Sequence, residues 1–279
     1  MRDRRHHPLR AVGIVLVILW SIVPIYWAAK SSLQTESAAR ARPAQYVPLH
    51  PTLANFRTLL LGSGNVATGI RHSLLNIVIE CAAATAVTVA LAALAAYAFA
   101  RFHFKGHNVL FFTVLATMAF PPYTTLIPLY RIMSAFNLVN TYTGIVLVYV
   151  SGFLPLAVWV LHNYFSSIPA SIEEAGLIDG ASRLQVFWHL VLPLATPGVI
   201  SIALITFLFG WAQFLFPLVL STDLSTQPLT VLIAALQGRH IVPSTLMSAA
   251  GILAIAVPAA IALLFNRYIV NGLLAGSTK

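Results

Sequence analysis

Residues 168–197 read I-P-A-S-I-E-E-A-G-L-I-D-G-A-S-R-L-Q-V-F-W-H-L-V-L-P-L-A-T-P, and this polar segment interrupts a chain that is otherwise strongly apolar. It holds Glu173, Glu174 and Asp179, three of the seven carboxylates among 279 residues. Apolar runs long enough to cross a membrane lie on both sides of it. The polar segment therefore predicts a connection between two membrane spans.

Start and stop signals divide the polar segment into two short helices. Ser171 with Glu174, and Ser182 with Gln185, have the spacing of a capping box, in which two side chains bind the first free amides of a helix. An Asp-Gly turn at 179–180 lies between them. Each half of the segment is therefore predicted to start its own helix.

The second of these helices carries an apolar and aromatic pattern. Its apolar residues recur at i, i+3, i+4 and i+7, which places them on one helical face. Such a face on a polar loop predicts docking into a groove. The residues are Leu184, Phe187, Trp188 and Val191.

Composition identifies a polytopic membrane protein. The chain is 59% hydrophobic and only 8% charged, against roughly 25% charged in a soluble domain. The net charge of +9 does not indicate nucleic-acid binding, because the basic residues flank apolar spans and form no basic-aromatic patch. Cys81 is the single cysteine, so no intrachain disulfide is possible.

An all-α fold with six spans in one transmembrane domain over 1–279 is predicted. A cleaved signal peptide is the alternative for the first run, but its length favours an uncleaved span. Three prolines, at 121, 122 and 128, predict a kinked or broken third span, and residues 30–71 predict an ordered external loop. The spans cover about 11–29, 73–100, 109–130, 143–165, 198–220 and 246–265.

The distribution of basic residues orients the chain. Six spans place both termini on one side, and the positive-inside rule makes that side cytoplasmic, together with the polar segment. The long first loop is left out of the count, because charge in long loops hardly sets topology. The inner side then carries Arg2, Arg4, Arg5, Arg10, Arg101, Lys105, Arg183, Arg267 and Lys279, and the outer side carries Arg131 and Arg239.

The polar segment resembles the cytoplasmic loop of bacterial ABC importer permeases, whose pattern is E-A-A-x3-G-x9-I-x-L-P. Gly176 stands here for the second Ala, and Leu190 for Ile. In that family the loop is the coupling helix, which seats in a groove on a separate ATP-binding subunit. The missing methyl of Gly176 predicts a slightly looser contact. The resemblance and the apolar face assign coupling to Glu174, Ala175, Gly176, Asp179, Gly180, Leu184, Phe187, Trp188 and Pro193.

The resemblance extends along nearly the whole chain and narrows to carbohydrate-type importers, similar to the second permease of the maltose-transporter type. It implies an inner-membrane subunit that pairs with a different permease, two ATP-binding subunits and an extracytoplasmic solute-binding protein. ATP and Mg would reside on the partners, since no lysine of this chain has a P-loop context. The motifs are residues 95–102, 126–130, 211–214 with Pro217, and 266–268 with 272–273.

Several residues within the spans are candidates for a substrate path. Aromatic faces pack on sugar C–H surfaces while an amide binds hydroxyls, although aromatic residues in a span also serve plain helix packing. The carboxylate of Glu80 is energetically costly inside a membrane span. Glu80 therefore either lines the substrate path or is hydrogen-bonded within the helix bundle, with Asn76 as a possible partner. The candidates are Tyr123, Thr124, Trp211, Gln213, Phe214, Phe216 and Glu80.

No pattern indicates an enzyme or a metal site. His103 and His107 have i, i+4 spacing, but no Cys or carboxylate accompanies them, so interfacial histidines are favoured. Within transport, a glycerol-phosphate or phosphodiester importer of the same architecture stays open. An ion-coupled secondary transporter is disfavoured by the lack of inverted repeats and paired intramembrane charges.

Overall fold

In a computed structural model the described residues, 7–238 and 242–275, fold into helices joined by short connections. Arg2, Arg4, Arg5, Arg239 and Lys279, which contributed to the orientation, lie outside the described residues. So do the side chains of Arg10, Arg267 and the carboxy-terminal motif after Asn266. The helices are α1 His7–Ser32, α2 Glu36–Ala39, α3 Ala54–Leu61, α4 Asn65–Arg101, α5 His107–Ala116, α6 Pro122–Ala135, α7 Tyr142–Ser167, α8 Ala170–Ile178, α9 Arg183–Val186, α10 Leu192–Leu194, α11 Thr196–Trp211, α12 Leu215–Leu220, α13 Leu229–Gly238 and α14 Ser244–Ala275.

Four of these helices contain stretches long and apolar enough to cross a membrane: Val12–Ser32, Asn65–Arg101, Tyr142–Ser167 and Ser244–Asn266. Two further candidates are bent pairs. His107–Ala119 meets Pro122–Ala135 at 101°, and Arg183–Leu194 meets Thr196–Trp211 at 75°. The all-α membrane fold is thereby confirmed. A count of six requires each bent pair to cross once, and it stays a prediction.

The break in the third span lies where the prolines predict it. Pro121 is extended, with φ −63° and ψ 126°, and Pro122 occupies the first turn of α6. A proline cannot continue the preceding helix but is well suited to begin the next one. The kink or break predicted for this span is therefore confirmed.

Three element boundaries differ from the predictions. The helix of the second span begins at Asn65 rather than near 73, since polar residues extend it beyond the apolar part. The fifth span, predicted as 198–220, is interrupted at 212–214 between α11 and α12. Helix α13 lies in a stretch predicted as a loop. Hydropathy detects the part of a helix in hydrocarbon, and not where the helix itself ends.

The contacts divide the chain into two compact units, Met1–Arg71 with Leu232–Ala256, and His72–Val231 with Val257–Lys279. In the first unit the loop after α1 is ordered by polar contacts. Lys30 is buried, donates to the Gln45 carbonyl at 2.9 Å and lies 4.0 Å from the Trp27 ring centroid. The Asn55 side chain donates to the carbonyls of Ser32 and Gln34, each at 2.8 Å. The ordered loop predicted for 30–71 is thus confirmed within this unit.

Glu36 anchors the first turn of α14 in the same unit. Its carboxylate accepts from the Thr245 amide at 3.2 Å, from the Thr245 hydroxyl at 3.0 Å and from Arg40 at 2.7 Å. Burial raises the pKa of Glu36, but the hydrogen bonds from Arg40, Thr245 and Ser244 outweigh it and lower that pKa from 4.5 to about 2. The ionised carboxylate is therefore the form that caps α14.

A pH dependence of stability follows from this cap. Because the folded pKa of Glu36 is depressed, its contribution is complete above the ordinary value of 4.5 and is lost as pH falls from there toward 2. We expect Glu36→Gln to lower the free energy of unfolding by about 1 kcal/mol at pH 7. Thermal unfolding measured from pH 7 to pH 3 checks this, because the difference between wild type and variant should shrink on acidification. A difference that is constant with pH would contradict it.

Helices α4, α7 and α11 build the core of the second unit. Alanines 92, 96 and 157 are fully buried, and such small residues allow membrane helices to approach closely. A Cβ built on Gly198 of α11 would lie 2.5 Å from the Tyr164 ring of α7, so these two helices are in close contact there. This core holds the polar segment at one end.

Candidate functional site

The polar segment folds as two helices around a turn, as predicted. Helix α8 ends at Ile178, and Gly180 has φ +90°, a left-handed conformation that favours glycine. At the second helix the capping box is confirmed, with the Ser182 amide donating to Gln185 Oε1 at 2.7 Å and the Gln185 amide donating to Ser182 Oγ at 3.4 Å.

The capping box predicted at Ser171 and Glu174 is wrong. Pro169 is the cap residue of α8, with φ −58°, and the helix begins at Ala170 without a side-chain cap. Ser171 therefore already lies inside the first turn, where its hydroxyl is not in the cap position. The helix thus begins directly after Pro169, and Ser171 does not act as its cap residue.

The apolar face predicted for the second helix is divided in two. Phe187 and Val191 are buried, while Leu184 is 63% and Trp188 53% exposed. Residues 187–191 form a π-helical turn, whose wider spacing rotates side chains away from the 3.6-residue pattern. The prediction that Phe187 belongs to an exposed docking face is thus wrong for this structure.

Phe187 instead joins an aromatic cluster of its own chain. Its ring centroid lies 4.9 Å from that of Tyr97 on α4 and 6.2 Å from that of Phe165 on α7. Aromatic pairs at these separations stabilise beyond their buried area. Through these ring contacts, the polar segment packs against helices α4 and α7.

A buried ion pair, which the sequence did not indicate, makes a second attachment. Arg101 Nε at the end of α4 donates to Glu173 Oε1, and the Tyr97 hydroxyl donates to Glu173 Oε2 at 3.0 Å. Arg101 Nη2 also donates to the Ile168 carbonyl at 2.9 Å. Glu173 and Gly176 are the buried residues of α8, and their i, i+3 spacing places them on one helical face. This spacing is the feature of the sequence from which the burial of Glu173 could have been inferred.

The other acidic residues of the segment are exposed. Glu174, Ala175 and Asp179 face solvent, as does Pro193. Leu184 and Trp188 are exposed on the same segment.

Gly176 makes a tight contact within this chain, while the slightly looser contact with the ATP-binding subunit stays a prediction. A Cβ built on it would lie 2.7 Å from Leu190 Cδ1 and 3.3 Å from Val186 Cγ2. Leu190 is the second residue that departs from the family pattern, and its side chain occupies the space beside the missing methyl. The two departures are therefore spatial neighbours that compensate each other.

This contact predicts a non-additive pair of substitutions. Gly176→Ala gains about 1 kcal/mol of helix propensity but forces Leu190 to move, so we expect no net stabilisation. Leu190→Ile alone leaves the space beside Gly176 underfilled. We expect the double variant to be more stable than the sum of the single effects by about 1 kcal/mol in thermal unfolding. Additive effects would contradict the contact.

The chain also contains a cavity where two distant stretches meet. A cavity of about 380 Å³ is lined by Pro122, Tyr123 and Leu126 from α6 and by residues 212–216 around the break between α11 and α12. It brings together Tyr123, Gln213, Phe214 and Phe216, four of the predicted path residues. Interruption of the helix at 212–214 is what exposes this backbone to the cavity.

A second cavity of about 480 Å³ shares three lining residues with the first: Pro122, Gln213 and Phe216. Thr125 and Tyr149 also border it. Thr124 borders neither cavity, and its hydroxyl donates to the Pro121 carbonyl at 2.8 Å. Gln213 and Phe216 thus lie where the two cavities adjoin.

Two predicted path residues lie away from these cavities. Trp211 is buried, with its ring stacked on Phe207 at 5.8 Å between centroids. Glu80 is fully buried, and its carboxylate oxygens have no hydrogen-bond partner among the described residues. Neither residue lines either cavity, and their assignment to the path stays a prediction. Asn76 is not the partner of Glu80, since its amide binds Tyr142 and two loop carbonyls.

His103, which lies between α4 and α5, stacks on His107, the first residue of α5, with ring centroids 6.1 Å apart. His107 Nε2 lies 2.8 Å from the Phe99 carbonyl, and Nδ1 lies 2.9 Å from Asn108 Oδ1. Both ring nitrogens of His107 are therefore engaged by protein oxygens. Across residues 7–238 and 242–275, no three His, Cys, Asp or Glu side chains are grouped to hold a metal.

Comparisons with known proteins agree with this architecture. The chain is 32% identical over 272 residues to the sulfoquinovosyl glycerol transport system permease protein SmoH of Agrobacterium fabrum, covering 98% of this chain and 94% of that one. It is 33% identical over 272 residues to the trehalose/maltose transport system permease protein MalG of Thermococcus litoralis, covering 97% and 96%.

A solved structure shares the fold. The crystal structure of a bacterial ABC transporter involved in the import of the acidic polysaccharide alginate matches with a TM-score of 0.78 and 23% identity, covering 96% of this chain and 98% of that chain. The family model for the binding-protein-dependent transport system inner membrane component matches residues 88–274, which include the polar segment and the cavity residues. The resemblance to ABC importer permeases is thereby confirmed, and the chain belongs to the family of binding-protein-dependent transport system inner membrane components.

Proposed function

We propose that this chain is one permease subunit of an ATP-driven importer for a sugar or related polyol. It pairs with a different permease, receives its solute from an extracytoplasmic binding protein and is powered by two ATP-binding subunits that hold ATP and Mg. The chain itself catalyses no bond chemistry. The relatives that transport sulfoquinovosyl glycerol and trehalose or maltose support this solute class.

The lining of the first cavity is the observation that supports a sugar or polyol as the solute. Tyr123, Phe214 and Phe216 supply aromatic faces and Gln213 supplies an amide, which suits C–H surfaces and hydroxyls. None of the residues that line the two cavities is charged. A phosphate group calls for an Arg or Lys partner, so these linings suit the hydroxyls and C–H surfaces of a sugar or polyol better than a glycerol phosphate.

Coupling is assigned to the exposed side of the polar segment. Leu184 and Trp188 are large exposed apolar side chains, as are Ile178 and Leu194 of the same segment, and exposed groups of this kind mark interaction sites. Glu174, Asp179 and Arg183 are exposed charged residues of the same segment. The basic residues that flank the spans favour a cytoplasmic position for this surface, with both termini on the same side.

The decisive experiment is reconstitution of the chain with the proteins encoded beside it. ATP hydrolysis and uptake of trehalose, maltose and glycerol 3-phosphate are measured in vesicles that contain the binding protein. We expect a sugar to stimulate ATP hydrolysis and to be accumulated. Accumulation by this chain alone, without an ATP-binding subunit, would overturn the proposal, and uptake of glycerol 3-phosphate alone would reject the sugar assignment.

A further inference from the structure

We propose that α4 is a rigid positioning element that links the polar segment to loop 221–228 at the opposite end of the second unit. Arg101 makes the contact at the carboxy-terminal end of this helix, and Asn76 makes it about three turns after the start. The inference rests on the proposed coupling role of the polar segment and adds a route by which its movement reaches the far loop.

The Arg101 contact ties α8 to α4. The side chains of Arg101 and Glu173 are only 13% and 10% exposed, and the Tyr97 hydroxyl completes the binding of the carboxylate. Separating a buried ion pair leaves an uncompensated charge, which costs several kcal/mol. Movement of α8 therefore takes the end of α4 with it.

The Asn76 contact ties the same helix to loop 221–228. Its Nδ2 donates to the carbonyls of Leu224 and Gln227, each at 3.1 Å, and its Oδ1 accepts from the Tyr142 hydroxyl at 2.7 Å. Asn76 is buried, so these bonds are protected from water. The loop follows α12, whose first residues, Leu215 and Phe216, line the first cavity.

The helix between these contacts is continuous. At 1.5 Å per residue, Asn76 and Arg101 lie about 37 Å apart along the axis. The other long helices contain internal prolines, at Pro24 in α1, Pro155 in α7 and Pro258 in α14, whereas α4 contains none. Proline introduces kinks, so α4 is the stiffest of the four.

The test follows loop movement from a single label. The lone cysteine is removed by Cys81→Ala, and Leu224→Cys carries a spin label in the reconstituted complex. We expect trapping of the ATP-binding subunits with ADP and vanadate, formed by hydrolysis of ATP in the presence of vanadate, to change the label's mobility in wild type. Arg101→Gln should abolish that change and lower uptake about tenfold, while the ATP-binding subunits still co-purify. Lys105→Gln removes an exposed cation on the same connection and should leave the response intact.

Two further variants separate transmission from simple loss of structure. Arg101→Glu with Glu173→Arg should restore part of the loop response if the ion pair itself is required. Asn76→Ala should abolish the loop response while the contact between Arg101 and Glu173 stays intact. The double variant with Arg101→Gln should lose no more uptake than either single variant, because both residues act on the same route through α4.

A loop response that persists in Arg101→Gln, or fully additive losses in the double variant, would overturn the inference. So would a wild-type complex that imports solute while the label at position 224 never responds. Absence of ATP-dependent uptake in wild type would instead refute the proposed function, so the two failures are distinguishable.

Discussion

Trp188→Asp is expected to release the ATP-binding subunits from the complex and to abolish uptake, while the chain still inserts and folds. The side chain is 53% exposed and extends from the polar segment beside Leu184. Exposed tryptophans at interfaces commonly contribute 2–4 kcal/mol, and a buried carboxylate in their place costs further energy. Such a loss weakens association by roughly 30-fold to 1,000-fold. Co-purification and ATP hydrolysis measure it directly.

Two comparisons sharpen this experiment. Tyr46 is 72% exposed in the first unit, and Tyr46→Asp makes the same kind of change away from the polar segment. It should retain the ATP-binding subunits. Phe187→Asp should fail to fold, because that side chain is 2% exposed within the aromatic cluster. A Trp188→Asp complex that keeps its ATP-binding subunits and its uptake would show that the polar segment is not the coupling element.

Gln213→Leu is expected to lower solute uptake about tenfold or more, since the loss of one hydrogen bond to a buried solute costs about 1–3 kcal/mol. The substitution nearly conserves volume and removes only the amide where the two cavities adjoin. Association with the ATP-binding subunits should be unchanged. The measurement is the rate of sugar uptake at several concentrations, with ATP hydrolysis recorded in parallel.

A matched pair of threonines provides the control. The hydroxyls of Thr124 and Thr125 make equivalent bonds, each 2.8 Å from a carbonyl three residues earlier, but only Thr125 borders a cavity. Thr125→Val should reduce uptake more than Thr124→Val does. Equal effects of the two valines, together with normal uptake by Gln213→Leu, would contradict a solute path through these cavities.

Features that depend on neighbouring residues were predictable from the sequence. The Pro121-Pro122 break, the Gly180 turn and the Ser182 capping box each follow from backbone chemistry within a few positions. The apolar pattern around Phe187 was also detected, but periodicity gives only spacing. It does not show whether an apolar side chain meets its own core or another protein.

Contacts between distant stretches were not predictable in the same way. Arg101 and Glu173 are 72 positions apart, and nothing in either local sequence identifies the other as its partner. The compensation between Gly176 and Leu190 likewise requires two helices in contact. The convergence of Tyr123 with Gln213 was suggested only by chemical type, and the structure supplies their common cavity.

The division of the polar segment into a buried and an exposed side has a consequence for how such transporters diversify. Glu173, Gly176, Phe187 and Val191 are fitted to this chain's own helices, whereas Leu184 and Trp188 are not. The two sets meet where the Trp188 ring lies edge-on to Phe187, with centroids 5.2 Å apart, so the exposed set can change while the buried set is retained if an aromatic residue is kept at position 188. Exchange of the exposed residues alone should therefore transfer recognition of a foreign ATP-binding subunit, whereas grafting the whole segment would break its attachment to Arg101 and Tyr97.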